Sequence, residues 1–190
     1  MSNDNLLKYW NYTRRVRDSG EHIKGLPIHK AGSDVAVVFD ENTIVIDGSD
    51  TAQEWASNLM FLRFGMKGTH SGFALAAHRF WEEFKHMAVD GKTFFFPCYS
   101  RGAGIAQILA LKFAEAGCYC NIVSFGSPKV GGKRFREEMA KMCISHVRVE
   151  MEGDPVAKLP MWWKHYDTDH VLIANNEKGV ACHTKYGEYL

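Results

Sequence analysis

The chain has 190 residues, of which 46% are hydrophobic and 24% charged, and its formal net charge is +1. That size and balance fit one soluble globular domain, residues 1–190, with a sizeable core. They exclude a nucleic-acid binder that works through bulk charge.

No apolar run approaches the roughly 18 residues needed to cross a bilayer. The N-terminus, Met1-Ser-Asn-Asp-Asn, has no basic segment leading into an apolar one, so no secretory signal is expected. Two small basic groups, Arg14, Arg15 and Arg17, then Lys133, Arg134 and Arg136, read as solvated faces. The five cysteines lack CxxC spacing. Cys118, Cys120, Cys143 and Cys182 can be drawn as a zinc site, but reduced, buried thiols fit better. The expectation is a cytoplasmic protein with neither structural disulfides nor a bound metal.

In chain order, a helix is expected at about residues 5–18, with Leu6, Leu7, Tyr9 and Trp10 on its apolar side. The β-branched runs 35–39 and 43–46, separated by Asp40-Glu41-Asn42, read as a hairpin. Residues 72–88 place Phe73, Ala77, Phe80, Trp81, Phe84 and Met87 at helical spacing. Thr93-Phe-Phe-Phe-Pro97 is the short unbroken apolar run of a buried central strand. It leads through Cys98-Tyr99-Ser100-Arg101-Gly102 into a helix at 103–116, where Gly102, Ala106, Ala110 and Ala114 form a face of small residues. A strand at 121–125, a helix at 133–141 and a strand at 146–149 complete the alternation. Strand, helix, strand, helix, strand predicts a mainly parallel sheet covered on both faces.

A serine on the turn between a buried strand and a helix has the placement of a nucleophile elbow. Such a turn pushes Oγ out at the strand end, so the positions two before and two after it must be small. Gly102 meets the second demand and Cys98 the first. The amide after Ser100 lies at a helix N-terminus, where unpaired N–H groups can hold a developing oxyanion. The competing reading is a serine that merely caps its helix.

Several segments then resemble the class 3 lipases, the fungal triacylglycerol lipase-like branch of the α/β-hydrolases. Ile44-Val-Ile-Asp-Gly-Ser49 is similar to that family's Phe-Arg-Gly-Ser/Thr strand end, with Trp55 and Asn58 following as expected. Thr69-His-Ser-Gly-Phe73 resembles Val-His-x-Gly-Phe, and Val123-Ser-Phe-Gly-Ser-Pro-Lys-Val-Gly131 resembles Thr-Phe-Gly-x-Pro-Arg-Val-Gly. Glu152-Gly-Asp154-Pro-Val-Ala-Lys-Leu-Pro160 looks like Asp-x-Val-Pro-x-Leu-Pro. The matches keep the family's order from about residue 35 to 186. They depart from it at Asp47 (usually Arg), at Cys98 and Ala103 (usually Gly) and at Arg101 (usually leucine-like).

The resemblance implies an α/β-hydrolase fold of reduced size and metal- and cofactor-free ester hydrolysis. Its substrate would be a lipid or acyl ester, met in transient contact with a membrane surface. Ser100 would be the nucleophile, with Ser49 and the Arg101 amide completing the oxyanion hole. Trp55 and Leu59, in a short amphipathic segment like the family's lid, would line an acyl pocket; an ordinary surface helix is the plainer reading. Triad order in this fold is serine, acid, histidine. Asp154 matches the family's acid, ahead of Asp167 and Asp169. His183, in His183-Thr-Lys-Tyr186, resembles the catalytic histidine and is preferred to His170 and His165. A metal site from His165, Asp167 and His170 has no recognised ligand spacing. His70 reads as structural, holding the lid hinge or a neighbouring loop. Arg101 either attracts an anionic substrate or pairs with Asp47. A catalytically inactive binding protein, or a thioesterase or acyltransferase with the same triad, are the other functions this pattern allows.

Overall fold

The computed structural model describes residues 3–19, 23, 25–47, 68–142 and 144–190. In chain order the elements are α1 (Asn3–Ser19), β1 (Ile28–Ala31), β2 (Asp34–Val38), β3 (Ile44–Asp47), α2 (Ser71–Phe84) and β4 (Thr93–Tyr99). They continue with α3 (Ser100–Glu115), β5 (Tyr119–Phe125), α4 (Lys133–Lys141), β6 (Ile144–Met151), β7 (Asp169–Ile173), α5 (Ala181–Thr184) and α6 (Tyr186–Tyr189). Among the described residues the strands form one seven-stranded sheet in sequential order. β1, β2 and β3 pair antiparallel, and β3 through β7 pair parallel. This is the mainly parallel sheet that the strand–helix alternation predicts, in the α/β-hydrolase arrangement that the resemblance implies.

Two strands exceed that expectation. β1 extends the expected hairpin into a three-stranded antiparallel edge, and β7 forms the opposite edge from residues given no strand in the sequence reading. Both are short and stand at the two edges of the sheet that the described residues form, and both mix polar with apolar residues.

The two faces of the sheet are covered by different elements. Phe94, Phe96 and Cys98 of β4 point into a core shared with Phe73, Phe80 and Phe84 of α2 and Ile105, Leu109 and Phe113 of α3. Each phenylalanine buried this way contributes about 1.5–3 kcal/mol through water removed from its ring. On the other face, Leu6 and Trp10 of α1 pack with Tyr99, Phe125, Val149 and Tyr186. The Trp10 ring meets Phe125 at 5.2 Å and Tyr99 at 5.5 Å, both edge-on. The N-terminal helix therefore backs the ends of the two central strands from which the site projects.

Parallel pairing also sets the edge. Asp47 stands opposite Tyr99 and Tyr99 opposite Phe125. Phe125 in turn stands opposite Val149. The chain segments after β4, β5 and β6 therefore all emerge on one side, where ligands bind in open sheets of this kind.

Candidate active site

Ser100 is the first residue of α3 and has φ +53°, the sole non-glycine with positive φ among the described residues. A left-handed serine costs about 1–2 kcal/mol, so the turn persists because its surroundings fix it. Gly102 supplies much of that fixation. A Cβ there would lie 2.3 Å from the Ile46 carbonyl oxygen, so only glycine lets α3 sit against β3. Cys98 is fully buried, and its thiol donates to the Val123 carbonyl at 3.5 Å. Burial pushes that thiol well above its ordinary range, which suits a packing residue rather than a reactive one.

Two segments bring the partners to Ser100, the turn after β6 and α5. His183, on α5, accepts from the Ser100 hydroxyl at Nε2 (2.7 Å) and donates from Nδ1 to Asp154 Oδ2 (2.8 Å). Asp154 follows β6 in a tight turn, and its Oδ1 accepts the Val156 N–H at 2.8 Å. Both side chains are wholly buried, and Ser100 is 5% exposed. The Tyr99 ring stacks on the imidazole at 5.0 Å, and its hydroxyl donates to the His183 carbonyl. The histidine is thus held in plane, in tautomer and in height.

Two further residues shape this pair, and the sequence reading gave neither a role. Gly126 has φ +58°, and a Cβ there would lie 2.7 Å from the imidazole and 3.0 Å from Asp154 Oδ2. The glycine of Phe-Gly-Ser-Pro is therefore the gap through which the pair reaches Ser100. Tyr186 donates its hydroxyl to Asp154 Oδ2 (2.8 Å) and accepts the Met151 N–H. Burial, and next the Asp154 charge, push its phenol far above the usual range, so it stays a neutral donor. Tyr186→Phe is expected to lower kcat by about tenfold with KM unchanged, because one charge-assisted hydrogen bond to the carboxylate is lost. Steady-state kinetics on a soluble ester checks this; a change confined to KM would contradict it.

Arg101 forks onto Asp34 at the start of β2, with Nε–Oδ1 at 2.6 Å and Nη2–Oδ2 at 3.0 Å. Of the two expectations for this residue, the structure supplies a carboxylate partner, from a strand the expectation did not name. Asp34 is 2% exposed, so removing its cation strands a buried charge. Arg101→Leu is expected to cost about 3–5 kcal/mol of stability, and Asp34→Leu added to it to restore most of that loss. Thermal melts of the single and double variants check the pair. The KM ratio between an anionic and a neutral ester is expected to stay constant, since the guanidinium is already neutralised.

His70 caps α2, accepting the Gly72 N–H at 3.2 Å, and burial followed by the Arg101 charge lowers its pKa. His165 donates to the Ala157 carbonyl, and burial pushes it down to about 4. His170 lies on β7, 3.2 Å from Glu150, and Asp167 and Asp169 are exposed. None of these joins Ser100. Nor do the cysteines converge: Cys118 donates to the Val89 carbonyl and Cys120 to the Ala110 carbonyl. Ser49, Trp55, Leu59 and the rest of 48–67, like Cys143, lie outside the described residues.

A second buried serine–histidine contact exists. Ser124 meets His146 Nε2 at 2.7 Å, and Tyr166 holds the other ring nitrogen. Ser124 is fully buried, and burial pushes His146 down to about 3, so this is a neutral brace between β5 and β6.

Residues 43–163 match the profile of the lipase (class 3) family. The chain belongs to that family. A relative, secreted mono- and diacylglycerol lipase 1 of Fusarium solani, is 28% identical over 138 residues. That match covers 63% of this chain and 39% of the relative, so the chain spans about two-fifths of the relative's length. The lipase of Rhizopus microsporus var. chinensis superposes with a TM-score of 0.65 at 14% identity, over 98% of this chain and 88% of that one. The triacylglyceride lipase of Rhizomucor miehei gives 0.60 at 20% identity, over 93% and 83%. Among the described residues no helix is long and apolar enough to cross a membrane.

Proposed function

We propose that this class 3 lipase family member is a serine hydrolase of carboxylic esters of lipid or acyl type, working as one domain over residues 1–190. One observation carries the reading. A serine with positive φ presents Oγ to a buried imidazole whose far nitrogen is held by a buried carboxylate.

In the proposed cycle Ser100 Oγ attacks the ester carbonyl while His183 Nε2 takes its proton. Asp154 keeps Nδ1 protonated and stabilises the imidazolium. The carbonyl oxygen gains charge opposite the Arg101 amide at the start of α3, with Ser49 as the second donor. Collapse of the tetrahedral intermediate expels the alcohol, which leaves with the proton from His183. Water, deprotonated by the same imidazole, then releases the acid from the acyl-serine. Trp55 and Leu59 are the proposed acyl contacts.

The name of the Fusarium relative favours partial glycerides over other esters as the first substrates to try. Four free, buried thiols, Cys98, Cys118, Cys120 and Cys182, favour a reducing compartment such as the cytoplasm. The decisive assay is turnover of p-nitrophenyl esters of graded chain length, followed by mono- and diacylglycerol. Measurable release is expected for esters. An acyl-serine that forms but passes only to an acceptor other than water identifies an acyltransferase, and no acylation at all identifies a binding protein.

A further inference from the structure

We infer that Arg17 of α1 is a positioning residue for His183: its guanidinium lies over the Tyr99 ring, and that ring in turn stacks on the imidazole. The inference rests on the proposed hydrolase reading and names a residue outside the triad on which the base depends. The sequence reading groups Arg17 with Arg14 and Arg15 on a solvated face, and the structure separates them. Arg14 and Arg15 are exposed, the first bonded to Asp18 at 3.0 Å and the second over the Phe39 ring at 5.3 Å. Arg17 turns inward, with its side chain 33% exposed. Its Cζ lies 5.0 Å from the centre of the Tyr99 ring and 5.4 Å from that of Trp10. Asp18 approaches it at 3.6 Å and is already bonded to Arg14.

Tyr99 ends β4, immediately before Ser100, and is buried. Its ring lies 22° from the plane of the imidazole with centres 5.0 Å apart, and its hydroxyl donates to the His183 carbonyl at 2.7 Å. One side chain therefore meets the histidine at both its ring and its backbone. A cation over the face of an electron-rich ring holds that ring in place. Burial pushes the Tyr99 phenol above its ordinary range; Arg17 is the largest influence the other way, and Asp154 and Asp47 reinforce burial. The phenol stays a neutral donor, and the imidazole keeps the height at which Nε2 meets Ser100. Small displacements of a reacting group cost rate rather than binding.

The same helix reaches the histidine by a second route. A Cβ at Gly187 of α6 would lie 2.6 Å from Trp10 Nε1, so the turn after His183 closes on α1 through a glycine. Tyr186, beside it, also packs on Trp10, with ring centres 5.7 Å apart. The segment that carries His183 is thus seated on the helix that carries Arg17.

The test reads the histidine itself as well as turnover. In the full-length protein with isotope-labelled histidine, NMR follows hydrogen exchange of the His183 Nδ1–H, which is bonded to Asp154 and needs no substrate to be seen. Arg17→Leu keeps the aliphatic packing and removes the charge. It is expected to speed that exchange and to lower kcat on a soluble ester, each by about three- to tenfold, with KM unchanged. Arg17→Lys keeps a cation over the ring and should return both to within about twofold of wild type. Arg15→Leu removes the cation over Phe39 from the same helix and should change neither. All three variants should melt within a few degrees of wild type, since both arginines reach solvent. Wild-type exchange and kcat in Arg17→Leu, an Arg17→Lys protein as impaired as Arg17→Leu, or a loss confined to KM would overturn the inference. A chain that hydrolyses no ester while its Nδ1–H still responds to Arg17 would sink the hydrolase reading alone.

Discussion

Ser100→Ala is expected to lower kcat by about 10⁴- to 10⁶-fold while leaving the fold intact. The hydroxyl is the group that the turn presents for covalent bonding to an acyl carbon, and its Oγ already lies 2.7 Å from the base. Alanine leaves Gly102 and its close approach to Ile46 untouched, so α3 keeps its start. The variant removes one hydrogen bond and no packing. Its melting temperature should therefore stay within a few degrees of wild type, and the loss should appear in turnover. Comparable activity in Ser100→Ala would remove the nucleophile from the account.

His183→Ala is expected to cost nearly as much activity, and stability in addition. Without the imidazole the serine has no base, so the two losses overlap, and Ser100→Ala/His183→Ala should be about as slow as either single variant. The added instability has a separate origin. Asp154 is wholly buried and loses its Nδ1–H donor, and the Tyr99 ring loses its stacked neighbour. Together these should cost about 3 kcal/mol or more. His165→Ala and His170→Ala lack any contact with Ser100 and should retain measurable turnover. A dead His170→Ala beside an active His183→Ala would move the base to β7.

The centre of the fold is legible in the sequence because its determinants are local. An apolar run, a small residue, a serine and a glycine suffice to place β4, the turn and α3. The edges are not legible. β1 and β7 are four and five residues long and mix polar with apolar positions.

The site divides in the same way. Triad order leaves three aspartates and three histidines open beside Ser100; the resemblance to the class 3 lipases selects Asp154 and His183, and the fold brings those two to Ser100. What holds them depends on contacts between distant residues. Asp34 is 67 positions from Arg101. It reaches the site because antiparallel pairing sets Val35 opposite Asp47, so Asp34 and Asp47 share the sheet edge. A reading along the chain finds the aspartate on the neighbouring strand end and misses the one that folds back beside it. Gly126 is similar. Its glycine reads as a motif letter until the imidazole and carboxylate are seen to occupy the space of its missing side chain. Tyr186 reads as part of a histidine motif, and its hydrogen bond to Asp154 exists only once β6 and the C-terminal turns are assembled.

The central claim is that Ser100 is a nucleophile activated by His183. Covalent labelling with a fluorophosphonate, mapped by peptide mass spectrometry, tests it most directly, because it requires no knowledge of the substrate. The account predicts a single stoichiometric adduct on Ser100, absent from Ser100→Ala and formed far more slowly in His183→Ala. An unlabelled wild-type protein, or an adduct on Ser124, Ser127 or any other serine, would contradict it.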